Sequence, residues 1–476
     1  MEALEKIFFV NAGADGTFAD SGHLSTTPAD VEQIFSYLEE KDIEKLLIYF
    51  HGGLVSEKSG LKAATVMKEH FADTAAKRHT VAFVWETGPA EVVMQNLKNL
   101  KELTGKGVFD EIVKFVTKLV AKKLGLDDAK GGGTYLSDET IAAEKQKIEP
   151  FEDLDRSLDA RGGTPLEIDE EDENYSTYYA KLETEAKGLV SAEGSDELKY
   201  EQAEGDEVAR GGMLFVAKVV AQIAFAVLKR YFKKTHHDFY PTIMEEAFRK
   251  LYLDKIGGWG WKQIKDKSGN MFSSNSGRTG NNLHAGTHFL SLLDAHLQKR
   301  KAAGKKLDIE LIGHSAGAIA VCNLLEATTN HFNAITYNNV FFLAPACRTD
   351  FFLQKGSPAQ EKGVFKHFKM FTMDESNEKK DHCIPFAYTH SLLYLVSGLF
   401  EEEVDAKIMG LHEQLKATGR YESFDELKKL NQYISNNKLI LSTDLENADE
   451  SLRCSSLKHG DFDNDTLTLT AILKSI

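Results

Sequence analysis

Serine, histidine and carboxylate side chains become a hydrolytic machine only when local turns and chain order let them meet. One pentapeptide in this chain has the right turn. Gly313-His314-Ser315-Ala316-Gly317 lies between Lys306-Leu-Asp-Ile-Glu-Leu-Ile312, which alternates like a strand, and Ala316-Gly-Ala-Ile-Ala-Val-Cys-Asn-Leu-Leu-Glu-Ala327, which has helical spacing. In a sharp strand-to-helix turn a serine is held in a strained backbone conformation with its hydroxyl presented. The residues two before and two after it must be tiny so that strand and helix can pass. Gly313 and Gly317 satisfy that demand, so Ser315 is the candidate nucleophile, and His314, inside the turn, is given a structural role.

Acyl transfer places negative charge on the former carbonyl oxygen, and two backbone N–H groups must already point at it. Lys45-Leu-Leu-Ile-Tyr-Phe50 reads as a buried strand that runs directly into His51-Gly52-Gly53-Leu54, where glycines let the backbone approach closely. The expected oxyanion donors are the N–H of Ala316 and one from Gly53 or Leu54, with His51 and Gly52 supporting the loop.

On these residues the chain resembles an α/β-hydrolase of the lipase and esterase type, over its first hundred or so residues and from about Leu283 to the C-terminus. The resemblance implies the α/β-hydrolase fold, with an eight-stranded, mostly parallel sheet flanked by helices. It also implies a triad in the chain order nucleophile, acid, histidine. Asn339-Val-Phe-Phe-Leu-Ala-Pro345 and Phe365-Lys-His-Phe-Lys-Met-Phe-Thr-Met373 read as the next strands, and Asp374 ends the second, which makes it the first choice for the acid. Glu375 and Asp381 on the same acidic loop, and Asp350 after the preceding strand, are the alternatives. Four histidines follow in order: His382, His390, His412 and His459. His459 fits best, in a polar loop between a last strand, Lys438-Leu-Ile-Leu-Ser442, and a terminal helix from about Thr466 to Ile476. His390 starts an apolar helical run that would bury its ring. Singly, each feature has a structural reading as a turn, a strand end or a solvated loop; it is the combination in the required order that points to chemistry.

Composition bounds the rest. The chain has 476 residues, 42% of them hydrophobic, enough for one large core with insertions or for two domains. Its net charge of −16 argues against a nucleic-acid partner or an anionic-membrane binder. The four cysteines are scattered without metal-ligand spacing, and Met1-Glu-Ala-Leu-Glu-Lys6 has neither a basic nor an apolar leader region, so a reducing, cytoplasmic setting is expected. No metal or cofactor is expected, since the serine mechanism needs none.

The organisation expected is a hydrolase core, residues 1–90, then a helical and acidic cap insertion, 91–282, then the second part of the core, 283–476, with a helical insertion at about 397–437. In the cap, an amphipathic helix is read around Val108 to Val120, a break at Gly131-Gly-Gly133, and a carboxylate-crowded run that includes Glu167 and Asp169-Glu-Glu-Asp-Glu173. Residues 213–228 form the most apolar helix. With Lys229, Arg230, Lys233 and Lys234 after it, contact of 213–234 with a membrane surface is one partner expectation, although a buried cap helix is favoured. The function expected is a serine hydrolase cleaving a carboxylic ester, of a lipid or a small acyl group, through an acyl-enzyme. Amide or thioester hydrolysis, and a non-catalytic hydrolase-fold protein that binds a protein partner, are the alternatives.

Overall fold

In the computed structural model the described residues are 4–19, 24–53, 56–85, 108–124, 137–160, 173–193, 206–253, 257–384, 388–442, 445 and 449–476. The chain divides into two compact units. The first comprises Met1–Val93, Trp259–Asp381 and Ala406–Ile476, and the second comprises Met94–Gly258 and His382–Asp405.

The first unit is built on a sheet of seven strands among the described residues: β1 (Phe9–Ala12), β2 (Lys45–Phe50), β3 (Arg78–Trp85), β4 (Asp308–His314), β5 (Tyr337–Leu343), β6 (Phe365–Thr372) and β7 (Leu439–Leu441). Their spatial order is β1-β3-β2-β4-β5-β6-β7 and every pairing is parallel. The resemblance implied eight strands, mostly parallel; the described sheet has seven and no antiparallel pair. A parallel sheet needs a crossover after each strand and cover on both faces. The helices Pro28–Glu40, Glu57–Phe71, Ala285–Ala302, Gly317–His331 and Thr349–Glu361 accordingly alternate with the strands. The central strands read as continuous apolar runs because both faces are buried: Leu46, Leu47, Ile48, Tyr49 and Phe50 of β2 have no exposed surface.

Local signals start these helices where they are found. Thr27 caps the Asp30 N–H, Asp30 reaches back to the Thr27 N–H at 2.8 Å, and Pro28 takes the first helical position, which forms a capping box. Apolar spacing predicts the next helix over Leu61 to Ala75; it runs Glu57–Phe71 because the Ser56 side chain caps the Ser59 N–H and starts it earlier.

The second unit is helical in its described residues, with helices at Val108–Lys123, Glu173–Glu193, Asp206–Phe232 and Phe239–Phe248 among others. The Asp206–Phe232 helix buries Val216, Val219, Val220, Ile223, Ala224, Val227 and Leu228, and exposes Leu214 and Phe215 near its start. No helix among the described residues is long and apolar enough to cross a membrane. The segment His382–Asp405 belongs to this unit and Ala406–Ile476 to the first, so the chain leaves and re-enters the sheet-bearing unit twice. The glycine break at 131–133, Glu167 and the carboxylates 169–172 lie outside the described residues.

Candidate active site

The register of β2 against β4 sets Phe50 opposite Gly313, so the residues that leave the C-terminal ends of these two central strands are neighbours. In open parallel sheets this edge, where successive strands diverge to opposite sides, is where ligands bind. Ser315 follows β4 with φ +53, a left-handed conformation that a residue with a Cβ adopts at a cost of about 1–2 kcal/mol. The surrounding geometry enforces it: the Ser315 N–H donates to Leu343 O at 2.9 Å, and its carbonyl accepts from the N–H groups of Ala318 and Ala346 at 3.1 and 3.2 Å.

The flanking glycines are required by contact. A Cβ on Gly317 would lie 2.1 Å from Phe50 O, and one on Gly313 would lie 2.8 Å from Gly317 O. Gly53 and Ala316 are also adjacent, since a Cβ on Gly53 would come within 3.0 Å of that of Ala316. Ala316 caps the helix that begins at Gly317, which leaves its N–H outside the helical ladder. The two expected oxyanion donors therefore sit side by side, at the positive end of that helix dipole. Leu54, the other expected donor, lies outside the described residues.

His51 braces this loop with both ring nitrogens. Its Nδ1–H donates to Gly52 O at 2.6 Å and its Nε2 accepts the Trp85 N–H at 3.1 Å, while its ring stacks on the Trp85 indole. These partners require the neutral form, and burial pushes its pKa down to about 4. Gly60 makes room for it, since a Cβ there would come 2.7 Å from His51 Nε2.

His459 Nε2 lies 2.9 Å from Ser315 Oγ. The histidine is fixed through its main chain: its N–H donates to Asp381 Oδ2 at 2.7 Å, and its carbonyl accepts from His314 Nε2 at 3.0 Å. Burial, reinforced by the charge on His314 and opposed by Asp463, pushes its pKa down to about 3, so the imidazole is neutral at ordinary pH and can accept the serine proton. The other ring nitrogen, Nδ1, is buried and has no hydrogen-bond partner among the described residues.

The expected acid does not meet His459. Asp374 leaves β6 in an extended conformation and caps the short helix Glu375–Lys380, with Oδ1 accepting the Asn377 N–H at 3.0 Å and Oδ2 its side-chain amide at 2.6 Å. A carboxylate immediately before a helix is captured by that helix's free N–H groups. Glu375 pairs with Lys379 and Lys416 at 3.0 and 2.6 Å, and Asp350 takes a two-pronged bond from Arg348 at 2.9 and 2.8 Å. Asp381 reaches His459, but at the backbone rather than the ring.

The carboxylate that the sequence reading overlooked is Asp463. It accepts from Tyr49 Oη at 2.6 Å and from His314 Nδ1 at 3.0 Å, on the same oxygen. Two signals were available: a carboxylate four residues after the candidate base, and a tyrosine in the otherwise apolar end of the β2 run. The other histidines are engaged elsewhere, His382 with Ile148 O, His390 with Asp238 and His412 with the Glu375 N–H.

One group of potential metal ligands occurs among the described residues, His237, Glu245 and Asp405 in the second unit, all buried. Its carboxylates are already bound to a cation: Arg230 donates to Glu245, to Asp405 at 2.5 Å and to Glu246 at 3.2 Å. All four cysteines are free thiols.

Both members of the reacting pair are buried, Ser315 being 1% exposed and His459 6%. No family model, curated protein or solved structure matches the chain.

Proposed function

We propose that the protein is a serine hydrolase of the α/β-hydrolase type that cleaves a carboxylic ester of a lipid or small acyl group. The observation that carries this reading is Ser315 in a left-handed turn between strand and helix, with its Oγ 2.9 Å from Nε2 of a neutral, buried His459. In the reaction, Ser315 Oγ attacks the ester carbonyl while His459 Nε2 takes the hydroxyl proton. The oxyanion is received by the N–H of Ala316 and one from the Gly53 region; a donor of this kind is worth about 10²–10³ in kcat. Collapse of the tetrahedral intermediate expels the alcohol, protonated by His459, and leaves Ser315 acylated. Water, deprotonated by the same histidine, then releases the acid.

A second reading has one observation in its favour. The bare Nδ1 of His459 lacks the carboxylate that would stabilise its imidazolium, which suits a hydrolase-fold protein that binds a partner with its serine idle. The two readings separate in a turnover assay with p-nitrophenyl esters of short and long acyl chains. Hydrolysis by the wild type that Ser315→Ala abolishes supports the enzyme. Equal rates for the two proteins would sink it.

A further inference from the structure

His314 occupies the position before the nucleophile. Here both of its ring nitrogens make hydrogen bonds, and both partners are pure acceptors: the Asp463 carboxylate at Nδ1, 3.0 Å, and the main-chain carbonyl of His459 at Nε2, 3.0 Å. A neutral imidazole has one N–H and would turn a lone pair towards one of these oxygens. A proton on each nitrogen satisfies both. We propose that His314 is a charged positioning residue: an imidazolium, held by the Asp463 carboxylate that Tyr49 anchors, that fixes His459 from behind through its carbonyl and so supplies the orientation that no carboxylate provides at His459 Nδ1. This role rests on the reading of the protein as a serine hydrolase.

Three further observations support the assignment. The His314 ring is nearly buried, and Asp463 holds its pKa above the ordinary histidine value despite that burial. Asp463 in turn is held below the usual carboxylate range, although burial alone would raise it, by His314 and by the Tyr49 hydroxyl, so the two directions agree on an ion pair. Finally, Gly52 packs directly against this pair, since a Cβ there would lie 3.2 Å from the Ser315 Cβ and in van der Waals contact with His314 Nδ1. The titratable groups facing His314 are Asp463 and His459 from the C-terminal segment, Tyr49 from β2 and His51 just beyond it. Of these only Asp463 brings a negative charge, because His51 is neutral by its own bonding and burial pushes the Tyr49 hydroxyl well above its ordinary value.

Charge and position make separable demands. The His314 cation lowers the basicity of His459 and Asp463 raises it. His314→Gln therefore removes the cation and leaves the carboxylate, so the acid limb of the reaction should move to higher pH. Loss of the clamp should also slow the reaction, by up to about 100-fold if His459 drifts by an ångström. In the double variant His314→Gln/Asp463→Asn both charges are gone: the limb should return towards that of the wild type while the rate stays low.

The test is the rate of fluorophosphonate labelling from below pH 3 up to pH 9, a range that contains the wild-type limb, for the wild type and these two variants, each checked for a cooperative thermal transition across that range. Nitrogen-15 spectra of histidine-labelled protein read the His314 ring directly. The expected result is two protonated His314 nitrogens at pH 7, lost in Asp463→Asn, together with a slow His314→Gln whose acid limb is shifted upward and restored in the double variant. A wild type that labels, with His314→Gln equally fast and its limb unmoved, or a His314 ring that is neutral at pH 7, overturns the positioning role alone. A folded wild type that takes no label overturns the hydrolase reading and, with it, this role.

Discussion

Replacing Gly317 by alanine adds one methyl group at the point where the nucleophile turn passes under the end of β2. The new Cβ would stand 2.1 Å from Phe50 O, 2.8 Å from Phe50 C and 2.9 Å from His51 O. Real contacts of this kind do not fall below 3.0 Å, so the helix start must retreat by at least 3.0 − 2.1 = 0.9 Å. The atoms in the way are backbone of a central strand paired on both sides, with Tyr49 and Phe50 wholly buried, and cannot rotate aside as a flexible side chain would. Overpacking of this sort costs about 1–3 kcal/mol and sometimes more, and the rigid neighbour places Gly317→Ala at the upper end. Because Ser315 and Ala316 ride on the same turn, a shift near 1 Å should also cut the rate of serine labelling by about 100-fold. The matched control is Gly460→Ala, beside His459, where an added Cβ meets nothing within 4 Å and stability should change by less than about 0.5 kcal/mol. Denaturant unfolding and fluorophosphonate labelling of both variants provide the comparison. Gly317→Ala with the stability and labelling rate of the wild type would refute the reasoning about how the turn is held.

Asp374→Ala should cost about 1 kcal/mol of stability through the lost helix cap while leaving serine labelling within a few-fold of wild type, whereas loss of a triad acid would cost about 10⁴; labelling kinetics distinguish the two. Glu310, buried in β4 with Asn339 Nδ2 donating to it at 2.8 Å, has its pKa pushed up to about 7 by burial. A raised carboxyl pKa contributes no penalty below its unfolded value and destabilises as pH rises through the folded one. Glu310→Gln should thus match wild type near pH 4.5 and exceed it by about 1–3 kcal/mol above pH 8, read from urea midpoints at several pH values. Arg230→Met removes the cation shared by Glu245 and Asp405 in the interior of the second unit, while Glu246 keeps its pair with Arg249, for an expected loss of about 3–5 kcal/mol by the same assay; a neutral result would contradict the pairing described there.

The parts legible in the sequence are those in which local pattern and tertiary demand coincide. The strands β2 to β6 are short apolar or alternating runs, and the glycines of 313–317 and 52–53 announce close backbone approach. His459 was legible as a loop residue late in the chain, and its ring does meet Ser315. What the pattern could not show is competition for a side chain. Asp374 has the right place at a strand end, but the free N–H groups of the following helix take its carboxylate. Its place inside the turn gives His314 only a structural role in the sequence; its charged partner comes from 149 residues away, a pairing that no local spacing encodes. The start of the second unit was legible, read at 91 against Met94, but the return of His382–Asp405 to it was not, since Tyr388, His390 and Ser397 join it through Glu245, Asp238 and His237, contacts remote in sequence.

The most direct test of the central claim is intact-mass measurement after fluorophosphonate treatment of the wild type, Ser315→Ala and His459→Ala, each shown to be folded. A serine activated by the buried histidine predicts one adduct on the wild type, mapped to Ser315, and none on either variant. An unlabelled folded wild type, or an adduct that survives Ser315→Ala, would contradict it.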